Sequence, residues 1–143
     1  MASEFKMMHR VEFAETDMAG LVHFANYLRY MEVTEHAFFR TLGLSIAMEQ
    51  KHGVGWPRVH ASCDYLAPLR FEDEVEVTLK VREKKEKALT YDFLFRRAKP
   101  DPVIDVARGR ITTVCVSREG GQMKAVPIPD FLARQIEVAP AGA

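Results

Sequence analysis

Hydrophobic positions change their period within the first third of the chain, and the changes mark out its elements. Val11 and Phe13 alternate with Glu12 and Ala14, the period-2 pattern of a half-buried strand. A turn follows at Thr16-Asp17-Met18-Ala19-Gly20, where Gly20 permits a tight reversal. From about Phe24 the spacing becomes helical: Phe24, Tyr27, Leu28, Met31, Phe38 and Leu42 fall on one stripe, and Gly43 is placed as a C-terminal cap. Residues 11–43 therefore predict a strand, a turn carrying one carboxylate, and a long helix that begins just after it.

The rest of the chain is mostly strand-like. A short helical turn is expected from Ser45 to His52, broken by Gly53-Val54-Gly55-Trp56-Pro57. Val59, Ala61, Cys63 and Tyr65 share one face of the next strand, and Pro68 marks an irregularity or an edge. The clearest alternation follows, with Val75, Val77, Leu79 and Val81 inside and Glu74, Glu76, Thr78, Lys80 and Arg82 outside. The charged run from Glu83 to Lys87 reads as a hairpin connection into Leu89, Tyr91, Phe93 and Phe95. After Lys99-Pro100-Asp101-Pro102, residues 103–117 are β-rich and end at the turn Arg118-Glu119-Gly120-Gly121. A short helix is expected from Pro129 to about Ile136, then a frayed tail from Ala139 to Ala143.

Strand, long helix, then four consecutive antiparallel strands predict an α+β fold, a curved antiparallel sheet with one face against a single central helix. Tyr30, Val33, Ala37 and Phe39 carry the helix's apolar surface beyond a narrow stripe, so a second subunit could approach it as well. At 143 residues the chain is expected to be one domain, with its core at about 7–136. A hydrophobic content of 48% suffices for that core without disulfide or metal staples. Twenty basic and twenty acidic residues (20 of each) leave a net charge of +0, which argues against a nucleic-acid binder. No apolar run reaches the ~18 residues of a membrane span or the length of a signal peptide, so a cytoplasmic location and no membrane partner are expected. Cys63 and Cys115 read as buried thiols.

Asp17 is the first candidate for chemistry. Aspartate is common in turns and as an N-cap, and that reading stands beside the catalytic one. A carboxylate facing the free N–H groups of a helix start can attack a carbonyl or activate water, while the N–H groups stabilise an oxyanion. The five histidines, His9, His23, His36, His52 and His60, show no ligand spacing with cysteine, so no metal is expected. There is no nucleophile elbow and no Walker loop.

The segment Thr16, Asp17, Gly20, Val22, His23, Phe24, Tyr27, Glu32 resembles the motif of the hotdog-fold thioesterases, in particular the 4-hydroxybenzoyl-CoA thioesterase-like group. The likeness continues through residues 63–74, Cys-Asp-Tyr-Leu-Ala-Pro-Leu-Arg-Phe-Glu-Asp-Glu, and through Met123 to Pro129, so that it spans roughly residues 7–136. It implies a hotdog fold and hydrolysis of an acyl-CoA. It implies Asp17 as nucleophile or general base, the Phe24 N–H as donor to the thioester carbonyl, and Gly20 in the catalytic turn. Met18, His23, Tyr27, Met31, Glu32 and Arg70 would line the substrate site, with Leu21 and Trp56 near the acyl group. Arg58 and the Lys84-Lys85 pair are further candidates for the coenzyme A phosphates. No cofactor is implied beyond the coenzyme A of the substrate, and the assembly implied is a homodimer or homotetramer. A subset of the family has a catalytic histidine where this chain has Phe24. His23 sits one place earlier, an offset of roughly 100° on a helix, and is read as a packing or pocket residue. Thr34-Glu35 replaces the family's usual Ala-Arg, and Glu32 and Glu35 stand as alternative carboxylates. A non-catalytic acyl-thioester-binding protein and an enoyl-thioester hydratase or dehydratase are the competing readings.

Overall fold

The computed structural model describes residues 1–141. Its first strand, β1, runs from Glu4 to Arg10, with Phe5, Met7 and His9 turned inward and Glu4, Lys6, Met8 and Arg10 outward. The strand expected at Val11 to Ala14 is not there. Val11 is buried and donates its N–H to the Asp73 carbonyl (2.8 Å), and Phe13–Glu15 forms a 3₁₀ turn. The cause is local: Glu12 and Glu15 cap each other's backbone N–H reciprocally, which favours a helical turn over a ladder.

The central helix α1 spans Asn26–Thr41 and buries Tyr27, Tyr30, Met31, Thr34, Glu35, Phe38 and Phe39. Phe24 and Leu28, expected on its apolar stripe, are instead 65% and 38% exposed. The buried face extends to Tyr30 and Thr34 instead. Its end is a Schellman motif: Gly43, at φ 76°, donates to the Arg40 carbonyl (3.0 Å) and Leu44 to the Phe39 carbonyl (3.1 Å). A one-turn helix α2 follows at Glu49–His52.

Five antiparallel strands make the sheet: β1, β2 (Arg58–Tyr65), β3 (Glu74–Lys84), β4 (Ala88–Lys99) and β5 (Ile104–Val114), in spatial order β1-β3-β4-β5-β2. The four later strands are thus not a simple meander. Strands β3, β4 and β5 follow one another, while β2 lies beyond β5 at the far edge. Val75, Val77, Leu79, Val81, Leu89, Tyr91, Phe93 and Phe95 are all buried against α1 or the loops around it. Val59 and Tyr65, which share one face of β2, are 63% and 49% exposed.

Gly109 on β5 sets how closely helix and sheet approach. A Cβ built there would lie 1.9 Å from the Met31 methyl carbon, so the helix side chain occupies the space a strand side chain would need. The short pair β6 (Val116–Ser117) and β7 (Lys124–Ala125) leads to α3 (Asp130–Ala133), with Pro129 immediately before it. Ala139 of the tail donates to the Val81 carbonyl (2.8 Å), so that part is tied down; the tail's last two residues, 142 and 143, lie outside the described ones. No helix among the described residues is long and apolar enough to cross a membrane.

Candidate active site

The turn between β1 and α1 is built on a narrow base. Thr16 and Val22 face each other in a β-bridge, and Asp17 N–H donates to the Leu21 carbonyl (2.8 Å). Gly20, at φ 80°, returns its N–H to the Asp17 carbonyl (3.0 Å), which is why this position requires glycine. The Asp17 side chain shapes the same loop: Oδ1 accepts from Ala19 N–H (2.9 Å) and Leu21 N–H (3.2 Å). That leaves the second carboxylate oxygen, Oδ2, without a partner among the described residues.

The loop before β3 holds the turn from the other side. Val22 N–H donates to the Leu69 carbonyl (2.8 Å), and Leu21 bridges Arg70. Arg70 N–H is fixed by Asp73 Oδ2 (2.8 Å), while its guanidinium carries no partner among the described residues. Arg58 and the Lys84-Lys85 pair are committed elsewhere. Lys84 Nζ donates to the carbonyls of Ala133 (2.5 Å) and Ile136 (2.8 Å), and Lys85 pairs with Glu83 (3.1 Å).

At the helix entry, His23 N–H donates to the Glu15 carbonyl (2.9 Å) and its Nδ1 accepts from Ala25 N–H (3.1 Å). The ring stacks on Phe24 with centroids 4.5 Å apart. His23 is therefore occupied in starting the helix and makes no hydrogen bond to Asp17. The Phe24 N–H, two residues before the first residue of α1, has no acceptor among the described residues, and the Phe24 carbonyl accepts from the Tyr65 hydroxyl (2.9 Å). That last bond brings the end of edge strand β2 against the helix start.

Around these polar groups lies exposed apolar surface. Met18 projects fully into solvent, and Phe24, Phe13, Phe71, Tyr65 and Leu66 are each about half exposed or more, with Phe13 and Phe71 in edge contact at 5.9 Å. Tyr27 and Met31 lie behind the rim instead. Tyr27 packs edge-on against Tyr65 (5.0 Å) and Phe95 (5.5 Å), and burial pushes its hydroxyl up to about 12. Met31 has no exposed surface, and Glu32 points to solvent.

Glu35 is not a free carboxylate. It is fully buried and held by both terminal nitrogens of Arg58, one at 3.0 Å and one closer. Its place between Met31 and Phe38 on the buried face leaves it no route to a ligand, and its negative charge binds the first residue of β2 to the helix.

A second polar cluster escaped the sequence reading. Glu15 Oε1 accepts from Glu12 N–H (2.8 Å), His9 Nε2–H (2.9 Å) and the Tyr30 hydroxyl (3.0 Å). Burial alone would raise the Glu15 carboxyl; the hydrogen bonds from Glu12, His9 and Tyr30 outweigh it, and the net direction is downward. The three-residue spacing of Glu12 and Glu15 was the one signal for it. No cluster of potential metal ligands occurs among the described residues.

A family model described as the thioesterase-like superfamily matches residues 11–136 of this chain. The chain is similar to the 4-hydroxybenzoyl-CoA thioesterase of Pseudomonas sp. (strain CBS-3), at 24% identity over 133 residues, 90% of this chain and 94% of that one. Its fold superimposes on the dynemicin thioesterase with a TM-score of 0.85 at 27% identity, covering 95% of this chain and 99% of that one. For a 1,4-dihydroxy-2-naphthoyl-CoA thioesterase from Synechocystis the TM-score is 0.81 at 25% identity, over 91% of this chain and 93% of that one.

Proposed function

This chain belongs to the thioesterase-like superfamily and is a thioester hydrolase, and from that premise we propose that it cleaves the coenzyme A thioester of a small acyl or aroyl acid at the Asp17 turn. The observation that carries this is that two groups in the segment leading into α1, the Asp17 Oδ2 and the Phe24 N–H, both lack a partner among the described residues. The carboxylate either attacks the thioester carbonyl carbon, expelling the coenzyme A thiolate and leaving an anhydride for water to open, or takes a proton from the water that attacks. In both routes negative charge gathers on the carbonyl oxygen. A backbone N–H just ahead of the positive end of a 16-residue helix suits that oxygen, and such a donor contributes about 3 kcal/mol to the transition state.

Met18, Phe24 and His23 are proposed as the rim that receives the acyl group, with Tyr27 and Met31 as the packed wall behind it. Arg70, exposed beside the turn with its guanidinium unpartnered among the described residues, is the proposed contact for a coenzyme A phosphate. Glu32, exposed on the helix, is proposed to meet substrate or solvent rather than to act as nucleophile. No metal or prosthetic group is needed for either route.

A homodimer is also proposed. Strand β2 offers an unpaired edge with Val59 and Tyr65 exposed, and natural proteins rarely leave such an edge bare. Since Tyr65 touches the Phe24 carbonyl, a subunit paired along β2 would close the open side of the site. The test of the activity is release of free thiol from a panel of acyl- and aroyl-CoAs. Turnover of at least one member supports the reading. Binding without thiol release from any of them contradicts it. Sedimentation showing only a 16.3 kDa species at micromolar concentration would contradict the dimer.

A further inference from the structure

The Glu15 cluster lies outside the reacting groups, yet it joins every element that carries them. Its carboxylate gathers donors from β1 (His9), from the 3₁₀ turn (Glu12) and from α1 (Tyr30). Its backbone carbonyl accepts from His23 N–H (2.9 Å) at the helix entry and from Asn26 Nδ2 (2.8 Å) in the first turn of the helix. Five donors thus converge on one residue that stands two places before Asp17. The bridge from Thr16 to Val22 begins at the next residue, so the Asp17 turn projects from a base whose two ends Glu15 ties together.

The cluster is not merely interior packing. Glu15 lies at a cavity of about 250 Å³ between β1 and α1, lined also by His9, Glu12, Asn26, Arg29 and Tyr30. The Glu15 side chain keeps 22% of its surface exposed and that of His9 28%. A carboxylate that needed only to fill space there would have no reason to collect three donors. One that must hold a loop in register with a helix start would.

We propose that Glu15 is a positioning residue for hydrolysis, fixing the distance between the Asp17 carboxylate and the Phe24 N–H by tying the base of the turn to β1 and to the first turns of α1. This rests on the assignment of Asp17 and Phe24 made above. Tyr30 and His9 act through it, each supplying a donor that keeps the carboxylate in one orientation. The relation is geometric: an error of about 1 Å between the two reacting groups suffices to cost on the order of 100-fold in rate.

The test compares Glu15→Ala, Glu15→Gln and Tyr30→Phe with wild type, reading kcat, KM and thermal unfolding on whichever acyl-CoA is turned over. Glu15→Ala is expected to lose on the order of 100-fold in kcat per folded molecule with KM within about twofold. Glu15→Gln keeps an oxygen for the Glu12 and Tyr30 donors and should recover most of that loss. Tyr30→Phe should lose about threefold to tenfold, and adding it to Glu15→Ala should cost nothing further, the non-additivity of residues in one network. If Glu15→Ala does not fold, Tyr30→Phe decides: lower kcat at an unchanged unfolding temperature supports the proposal, and wild-type kcat overturns it. Unchanged kcat per folded molecule in Glu15→Ala, beside an inactive Asp17→Asn, overturns the positioning role alone. An active Asp17→Asn overturns the assignment beneath it.

Discussion

The two ends of α1 are built to opposite rules. At its C-terminal half Phe38, Phe39 and Glu35 are fully buried or nearly so, the last carbonyls are satisfied by a Schellman motif, and the one buried charge is matched by Arg58. At its N-terminal entry Phe24 is 65% exposed, its N–H is unpaired among the described residues, and one Asp17 oxygen has no partner. Unsatisfied groups and exposed aromatic surface cost stability, so a fold keeps them where they meet a ligand or a second subunit. The difference sets the end that holds this protein together against the end proposed to act on substrate.

Substitutions at the two ends should therefore fail in different assays. The largest effect on activity is expected from Asp17→Asn, a loss of about 10³-fold or more in kcat with thermal unfolding shifted by only a few degrees. At the other end Arg58→Ala should leave Glu35 as an uncompensated buried charge. That costs about 3 kcal/mol, the lower part of the usual range because Arg58 is partly exposed, and lowers the unfolding temperature by about 10 °C. Gly109→Ala should destabilise by about 1–3 kcal/mol by driving a methyl into Met31, measurable as a lower urea midpoint at unchanged slope.

Smaller effects sharpen the comparison. His23→Ala should cost about 10-fold or less in turnover, because its ring serves the helix start and does not contact Asp17. A loss matching that of Asp17→Asn would reassign the base. Acid should act through Glu15. Its folded-state carboxyl is held below the ordinary value, so its contribution is present above the unfolded pKa and is lost as pH falls through the lowered one. Urea midpoints from pH 7 to 3 should therefore fall less steeply in Glu15→Gln than in wild type. Least of all, Cys63 and Cys115, both pushed up to about 11 chiefly by burial, should react slowly with thiol reagents at pH 8 in the native state and quickly in denaturant.

Alternation was a reliable guide where one face of a strand meets the core along its whole length, as in Val75 to Val81 and Leu89 to Phe95. It misled at Val11 to Ala14, where four residues are too few to separate a strand from a turn and the Glu12–Glu15 caps decided the matter. In β2 it found the strand, Arg58–Tyr65, although Val59 and Tyr65 on its shared face are exposed. Spatial strand order is a long-range property and left no trace in local pattern. The turn residues Asp17 and Gly20 were legible because backbone geometry demands particular residue types there. Glu35 was legible as an alternative carboxylate, but not its partner Arg58, 23 residues away in sequence and brought close only by the fold. Glu15 was passed over because a glutamate beside a turn is ordinary until His9 and Tyr30 are seen to converge on it.

The most direct test places Asp17→Asn and Arg58→Ala side by side and measures turnover of one acyl-CoA per folded molecule, at a temperature below both unfolding transitions. Asp17→Asn is expected to have lost about 10³-fold or more while Arg58→Ala stays within about threefold of wild type. Near wild-type turnover in a folded Asp17→Asn protein, or an equal collapse in both, would contradict it.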